Sequence, residues 1–169
     1  ILLLFKRVLL DTSNLFTSSD PNKLVNCCEA IKALIFPFKF EHVYVPNLPE
    51  ILLDRVKTPF IFMLGIAGEN LYKQVEDSIK DGTYIIQLDG NKIFQRPHAS
   101  TIINRSGTTK EKIDEDLPDL PLSLYNDLYS ELKDFSREIR RKQNEFTNKQ
   151  VEEIRKHFFH FFVKEQESL

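Results

Sequence analysis

The sequence predicts an α/β fold: a short-stranded, mostly parallel sheet covered by helices, followed by a C-terminal helix pair. Three observations carry this. Short apolar runs of strand length alternate with helical segments through residues 1–94. Two amphipathic stretches with apolar positions at helical spacing follow residue 120. Of the 169 residues, 41% are hydrophobic, with 14 Phe and 5 Tyr, enough to build a packed core at single-domain length.

Ile1 to Leu9 is apolar apart from Lys6 and Arg7 and reads as a buried helix end. Asn14 to Ser18 fits a short strand. Asp20-Pro21 predicts a helix start, because Asp accepts from free amide groups as an N-cap and Pro suits the first helical position. That helix is expected to reach Phe36, before Pro37, and to be covered on most sides, with Leu24, Cys28, Ile31 and Ile35 opposite a stripe of Asn22, Asn26, Glu29 and Ala33. A strand at Val43–Val45 ends at Pro46. Pro49-Glu50 opens a helix carrying Ile51, Leu52, Leu53 and Val56, which Thr58-Pro59 ends. Phe60 to Leu64, closed by Gly65, has the continuous apolar character of a strand buried on both faces. A helix over Leu71–Ile79 and a strand over Tyr84–Leu88 follow, with a turn at Asp89-Gly90-Asn91.

The chain divides into an α/β module over residues 1–94, a polar and acidic variable loop over 95–119, and a helical segment over 120–169. In that segment Leu124, Leu128, Leu132, Phe135 and Ile139 share one stripe. Thr147 to Gln150 has capping-box spacing, and the helix it starts is expected to bury Val151, Ile154, Phe158, Phe161 and Phe162. A short connection implies an antiparallel pair.

Composition excludes several functions. With 23 Lys plus Arg against 25 Asp plus Glu, the formal charge is −2. Sequence-independent nucleic-acid binding needs many cations on phosphates, so no nucleic-acid partner is expected. Five Gly are too few for a glycine-built cofactor site. The only cysteines are the neighbours Cys27 and Cys28, whose side chains diverge along a helix, so a disulfide framework is excluded and a reducing, cytoplasmic setting is expected. No apolar run reaches the ~18 residues of a bilayer span.

A search for catalytic chemistry returns nothing that demands an enzyme. Glu153, His157 and His160 share a helical face, but opposite the Phe stripe and without the HExxH arrangement, so a solvated face is expected and no metal. Gly65 to Gly68 and Ser106 to Lys110 both miss the phosphate-cradling GxxxxGK[ST] pattern. No GxSxG elbow exists. Cys27 and Cys28 suit small core residues, His98 has no evident partner, and Glu50 with Asp54 forms a carboxylate pair at i, i+4 typical of a solvated face. No cofactor is expected.

The string from Glu29 to Asp54, EAIKALIFPFKFEHVYVPNLPEILLD, resembles the central module of DENN domains. The similarity continues through Thr58 to Ile66 and Tyr84 to Asp89. Upstream, Leu10 to Asp20 is similar too. Downstream, Leu117 to Pro121 and Phe158 to Val163 resemble the start of the family's last module. Phe40 stands where Trp is usual, Glu41 where Gln is, and Arg55 where an apolar or aromatic residue is commoner. The resemblance implies a guanine-nucleotide exchange factor module for a Rab-type small GTPase. Such a module acts by binding the GTPase and displacing its switch segments, a population shift that makes no bonds. It also implies that a longin-like lobe, absent from these residues, shares the GTPase surface, and that association with vesicle or organelle membranes is peripheral, through partners. Within the string, Pro37, Pro46, Pro49, Pro59, His42 and Tyr44 are expected to build scaffold. The polar residues at loop and helix starts, Asn47, Glu50, Asp54 and Arg55, are the candidate GTPase contacts. The alternatives are a non-exchanging DENN-like scaffold or a component of a GTPase-activating assembly. The latter needs an Arg at the nucleotide, and Arg55 alone does not support it.

Overall fold

The computed structural model describes residues 2–96, 126–134, 137 and 148–167, with side chains in the last segment to Val163. Among the described residues five strands form one sheet: β1 (Asn14–Ser18), β2 (Val43–Val45), β3 (Phe62–Ala67), β4 (Tyr84–Gln87) and β5 (Lys92–Gln95). Their spatial order is β2-β3-β1-β4-β5. β1 lies parallel to both β3 and β4, β2 is parallel to β3, and only β4 with β5 is antiparallel. The sheet is therefore mostly parallel and short-stranded, as the alternating pattern implied.

Helices cover both faces because successive side chains of a strand point to opposite sides. On one face Phe16, Met63, Tyr84 and Ile86 pack under α1 (Leu2–Leu9), α2 (Pro21–Leu34), Leu128 of α4 (residues 126–134) and Phe158, Phe161 and Phe162 of α5 (Asn148–Glu167). On the other, Leu15, Phe62, Leu64, Ile66 and Ile85 pack against a 3₁₀ helix (Glu50–Lys57) and α3 (Glu69–Val75). β1 exits toward β2 at one edge, whereas β3 exits across to β4 on the far side of β1. Two connections leaving in opposite directions place one helical layer on each face.

Local chemistry explains the boundaries. Asp20 caps α2 by accepting from the amide of Asn22 at 2.9 Å, with Pro21 at the first position. The helix stops at Leu34, two residues short of the expected Phe36, because a residue before proline is pushed out of the helical region. It also buries one face only: Leu24, Cys28, Ile31 and Leu34 face the sheet, while Asn26, Glu29, Ala30 and Ala33 are exposed. Among the described residues, no core side chain lies on the far side of α2, as expected for an outer-layer helix.

Three further expectations are corrected. β3 begins at Phe62, where Val43 of β2 pairs with it, and runs through Gly65 to Ala67; Phe60 lies before the sheet and is 68% exposed. The helix expected over Leu71–Ile79 starts at Glu69 and ends at Val75, followed by a 3₁₀ turn over Glu76–Ser78. Val151, expected in the Phe seam, is 45% exposed, because the first turn of α5 precedes the stretch that meets α1. The core packing of α5 includes half-buried Ile154 and culminates at Phe5, whose ring meets Phe158 edge-on at 4.6 Å and Phe161 at 5.7 Å.

Leu128 and half-buried Leu132 of α4 join the same core. Glu131 of α4 lies 2.7 Å from His157 Nδ1 of α5, which ties the C-terminal pair together. The expected roles of Leu124, Phe135, Ile139, Thr147, His98, the 106–110 segment and nearly all of the 95–119 loop fall outside the described residues.

Candidate functional site

The stretch from Pro46 to Phe60 combines rigid mounting with an exposed outer surface. At its start the chain crosses directly over β3: the amide of Leu48 donates to the carbonyl of Gly65 at 2.7 Å. A Cβ on Gly65 would overlap the carbonyl oxygen of Pro46 and stand 2.8 Å from its carbonyl carbon, so only glycine admits this crossing. Leu48, 2% exposed, then plugs into the core. At the far end, Lys80 donates its amide to the carbonyl of Val56 (3.1 Å) and its ammonium to that of Pro59 (2.8 Å). The stretch is clamped at both ends.

Between the clamps the helix is 3₁₀, with bonds from Leu52 to Pro49 (2.9 Å) and Thr58 to Arg55 (3.1 Å). Three residues per turn stack side chains at i and i+3. Leu53 and Val56 therefore form the buried row. Ile51, Asp54 and Lys57 form an outer row, with Leu52 and Arg55 beside it. Ile51 is 89% exposed, and Asp54 accepts from Lys57 at 2.9 Å in a pair open to water. Such a surface pair adds little stability, which leaves both side chains available to a partner.

All four candidate contacts, Asn47, Glu50, Asp54 and Arg55, are exposed on this one stretch. The 3₁₀ winding puts Glu50 and Asp54 on different faces, so they do not form the side-by-side carboxylate pair that an α-helix would have made. Ile51 and Phe60 were not expected at the surface. The sequence carries no signal for this, because the three-residue spacing of Leu53 and Val56 is shared by α- and 3₁₀-helices and Phe60 lies beyond the helix.

The aromatic and polar residues of the same string anchor it. His42 Nε2 lies 2.9 Å from Asp11, and the Tyr44 hydroxyl donates to Glu29 at 2.7 Å, which ties β2 to α2. Lys32 also reaches Glu29 and stands 4.1 Å from the centre of the Tyr44 ring. The hydrogen bond from Tyr44, then that from Lys32, lowers the Glu29 carboxyl below its ordinary value, while burial and then Glu29 raise the Tyr44 phenol.

A second feature sits at the C-terminal end of the parallel strands, where a cleft of about 430 Å³ opens between α3 and the β4–β5 turn. Its polar groups pair with one another: Lys73 with Glu69 at 2.8 Å, and the Tyr72 hydroxyl with Glu76 at 3.3 Å, burial first and Glu76 second raising that phenol to about 12. Asp89 is the most connected. It accepts from the Ser18 hydroxyl (2.9 Å), the Ser19 amide (2.7 Å) and hydroxyl (3.0 Å), and Lys23 (2.8 Å), locking the β4–β5 turn onto the β1–α2 junction. Lys23, then the Ser19 amide and the two hydroxyls, hold its carboxyl well below the carboxylate range. A carboxyl lowered on folding stabilises fully above its unfolded value, near ~4, and loses that contribution as the pH falls below it. Asp89→Ala is thus expected to lower the melting temperature by several degrees at neutral pH. In urea titrations the gap from the unsubstituted protein should narrow in acid, and a gap unchanged or wider in acid would refute the assignment.

Cys28 is buried, and burial pushes its thiol up to about 12, with Cys27 raised less steeply by the same cause. Iodoacetamide at about pH 8 should leave Cys28 unmodified in the folded protein and modify it in urea, since the thiolate is the reactive form. Equal rates in both states would contradict this packing. Glu153 and His160 are exposed while His157 turns to Glu131, so that trio does not converge, and among the described residues no group of three or more His, Cys, Asp or Glu has metal-holding geometry. Among them, too, no helix is long and apolar enough to cross a membrane.

Comparison with known proteins decides the family. Residues 1–91 match the model of the DENN (AEX-3) domain, more than half of the chain. The chain belongs to the DENN domain family. It is 27% identical over 168 residues to human DENN domain-containing protein 2D, covering 97% of this chain and 30% of that protein. Mouse DENN domain-containing protein 2A is 36% identical over 67 residues, 40% of this chain and 7% of the relative. Mouse DENN domain-containing protein 1C is 31% identical over 90 residues, 53% and 11% respectively. The chain thus spans under a third of the length of each of these relatives. The DENN match stops just before β5, yet the core it describes is completed by the three Phe rings of α5.

Proposed function

We propose that this chain is one lobe of a guanine-nucleotide exchange factor that promotes GDP release from a Rab-type small GTPase, with Asn47, Glu50, Asp54 and Arg55 among its GTPase contacts. Membership of the DENN family carries the proposal. The clamped, exposed stretch from Pro46 to Phe60 supports the choice of residues. A GTPase releases nucleotide when a partner binds its nucleotide-free form more tightly than its loaded form, and that needs a surface which does not yield when the switch segments are displaced. A 3₁₀ helix seated on Leu53 and Val56 and clamped at Gly65 and Lys80 meets that requirement. The exposed Ile51 and Phe60 add apolar contact beside the polar and charged groups, the combination of an apolar interface core with a polar rim.

A longin-like lobe supplies the remainder of the GTPase surface in this reading, so the test uses a protein that includes it. Release of a fluorescent GDP analogue from a panel of Rab proteins is the measurement. Release accelerated for one or a few members supports exchange. Faster GTP loss without GDP release would replace it with GTPase activation, and binding without either would leave a scaffold.

A further inference from the structure

The far end of the contact stretch is held from outside it. A 3₁₀ helix has poorer hydrogen-bond geometry than an α-helix, so a run of eight residues draws support from its surroundings. Just beyond it, Pro59 has no amide to donate, and only its carbonyl can tie it down. Lys80 supplies that tie with its ammonium at 2.8 Å, and its amide holds the carbonyl of fully buried Val56 at 3.1 Å. Lys80 is placed in turn by a residue that the exchange reading does not use. Arg96, half-buried at the end of β5, donates through its guanidinium to the successive carbonyls of Glu76 and Asp77, the latter at 3.1 Å. Both carbonyls belong to the 3₁₀ turn over Glu76–Ser78, which ends two residues before Lys80. The Arg96 backbone closes the loop from the other side. Its amide donates to Thr83 at 2.8 Å, its carbonyl accepts from Gly82 at 3.3 Å, and the Thr83 amide donates to Lys80 at 3.3 Å. Gly82 makes that turn at a φ of 81°. Ile79 and Val56 pack in one core cluster beneath.

We propose that Arg96 and Lys80 are positioning residues for the GTPase contact. Arg96 fixes the segment from Glu76 to Lys80, and through it Lys80 sets where Asp54, Arg55 and Phe60 stand. The inference rests on the exchange reading and adds to it two residues outside the contact stretch. Neither side chain needs to touch the GTPase, because these bonds go to backbone carbonyls of this chain. Displaced switch segments push back on the surface that displaces them, and a helix end released from its carbonyl tie gives way under that load. The two cations differ in what can replace them. Lys80 makes one bond from its ammonium, which a guanidinium can also make. Arg96 forks onto two neighbouring carbonyls, a planar geometry that a single ammonium does not reproduce.

Amide hydrogen exchange and stimulated GDP release, both measured on the full-length protein with its longin-like lobe, test this. Lys80→Met removes the ammonium and keeps the amide. It is expected to speed exchange of the Thr58 amide about fivefold, the loss of one hydrogen bond, and to slow GDP release by a similar factor. The Leu48 amide, at the other clamp, should exchange as before. Arg96→Met should change both readouts about threefold. The double variant should lose no more than Lys80→Met alone, because the two act in series. Lys80→Arg should restore both readouts, and Arg96→Lys should not. Unchanged Thr58 exchange, equal speeding of the Leu48 and Thr58 amides, or additive losses in the double variant overturns the proposal. So does faster Thr58 exchange with GDP release intact where Asp54→Ala with Arg55→Ala slows it, an outcome that leaves the exchange reading standing. Release insensitive to all of these variants removes the exchange reading and the positioning role with it.

Discussion

Gly65→Ala should abolish stable folding or cost about 3 kcal/mol or more, at the upper end of overpacking effects. The new methyl has no direction in which to relax. The atoms it meets are the carbonyl carbon and oxygen of Pro46, backbone groups fixed by the Val43–Val45 pairing on one side and by the Leu48 bond to the Gly65 carbonyl on the other. A flexible side chain could swing aside, but a paired backbone cannot. The damage should also be local in kind: the crossing at Gly65 sets where the 3₁₀ helix begins, so any folded fraction should lose partner binding more steeply than the unsubstituted protein at matched temperature. Denaturant titration checks the first part, and a loss under about 1 kcal/mol would mean that the crossing is looser than described.

Phe158→Ala is the second large effect, expected to cost about 3–5 kcal/mol, the range for removing a buried aromatic. Phe158 is 1% exposed and meets fully buried Phe5 edge-on at 4.6 Å, an arrangement that adds ring–ring attraction to the area buried. Removing either ring opens a cavity shared by α1 and α5. Phe5→Ala should therefore cost a similar amount, and the double variant less than the sum, because both losses concern one contact. The same logic makes α5 part of the folded unit although the family match ends at residue 91. Additive losses in the two Phe variants would show that the helices are not coupled through this pair.

Much of this was legible in the residues, for physical reasons that differ along the chain. β1 and β2 were read at their true ends, and the N-terminus of α2 followed from Asp20-Pro21, because capping chemistry is local. β5 is not legible in the sequence. Its four residues alternate as Lys92, Ile93, Phe94 and Gln95 after the Asp89-Gly90-Asn91 turn, a hairpin signal too short to separate from the polar loop that follows. Apolar character alone puts the start of β3 at Phe60, because it cannot say where the neighbouring strand begins; pairing with Val43 decides that, and pairing is non-local. The candidate contacts were legible as exposed polar residues between prolines. Their apolar companions Ile51 and Phe60 were not, since a large hydrophobic side chain in a sequence reads as core until the winding of its helix is known. The role of Gly65 was equally hidden: glycine at a strand's apparent end suggests a turn, whereas here it opens the middle of a strand to a crossing backbone.

The most direct test of the central claim is stimulated GDP release by a longin-containing protein carrying Asp54→Ala and Arg55→Ala, with melting temperature measured on the same sample. Both side chains project from the clamped helix into solvent. If they engage the GTPase, release should fall roughly tenfold or more, the effect of losing one or two good interface contacts, while the melting temperature stays within a degree or two of the original. Unchanged release would contradict the assignment of this stretch as the GTPase contact, and a fall in release matched by a fall in stability would make the two residues scaffold.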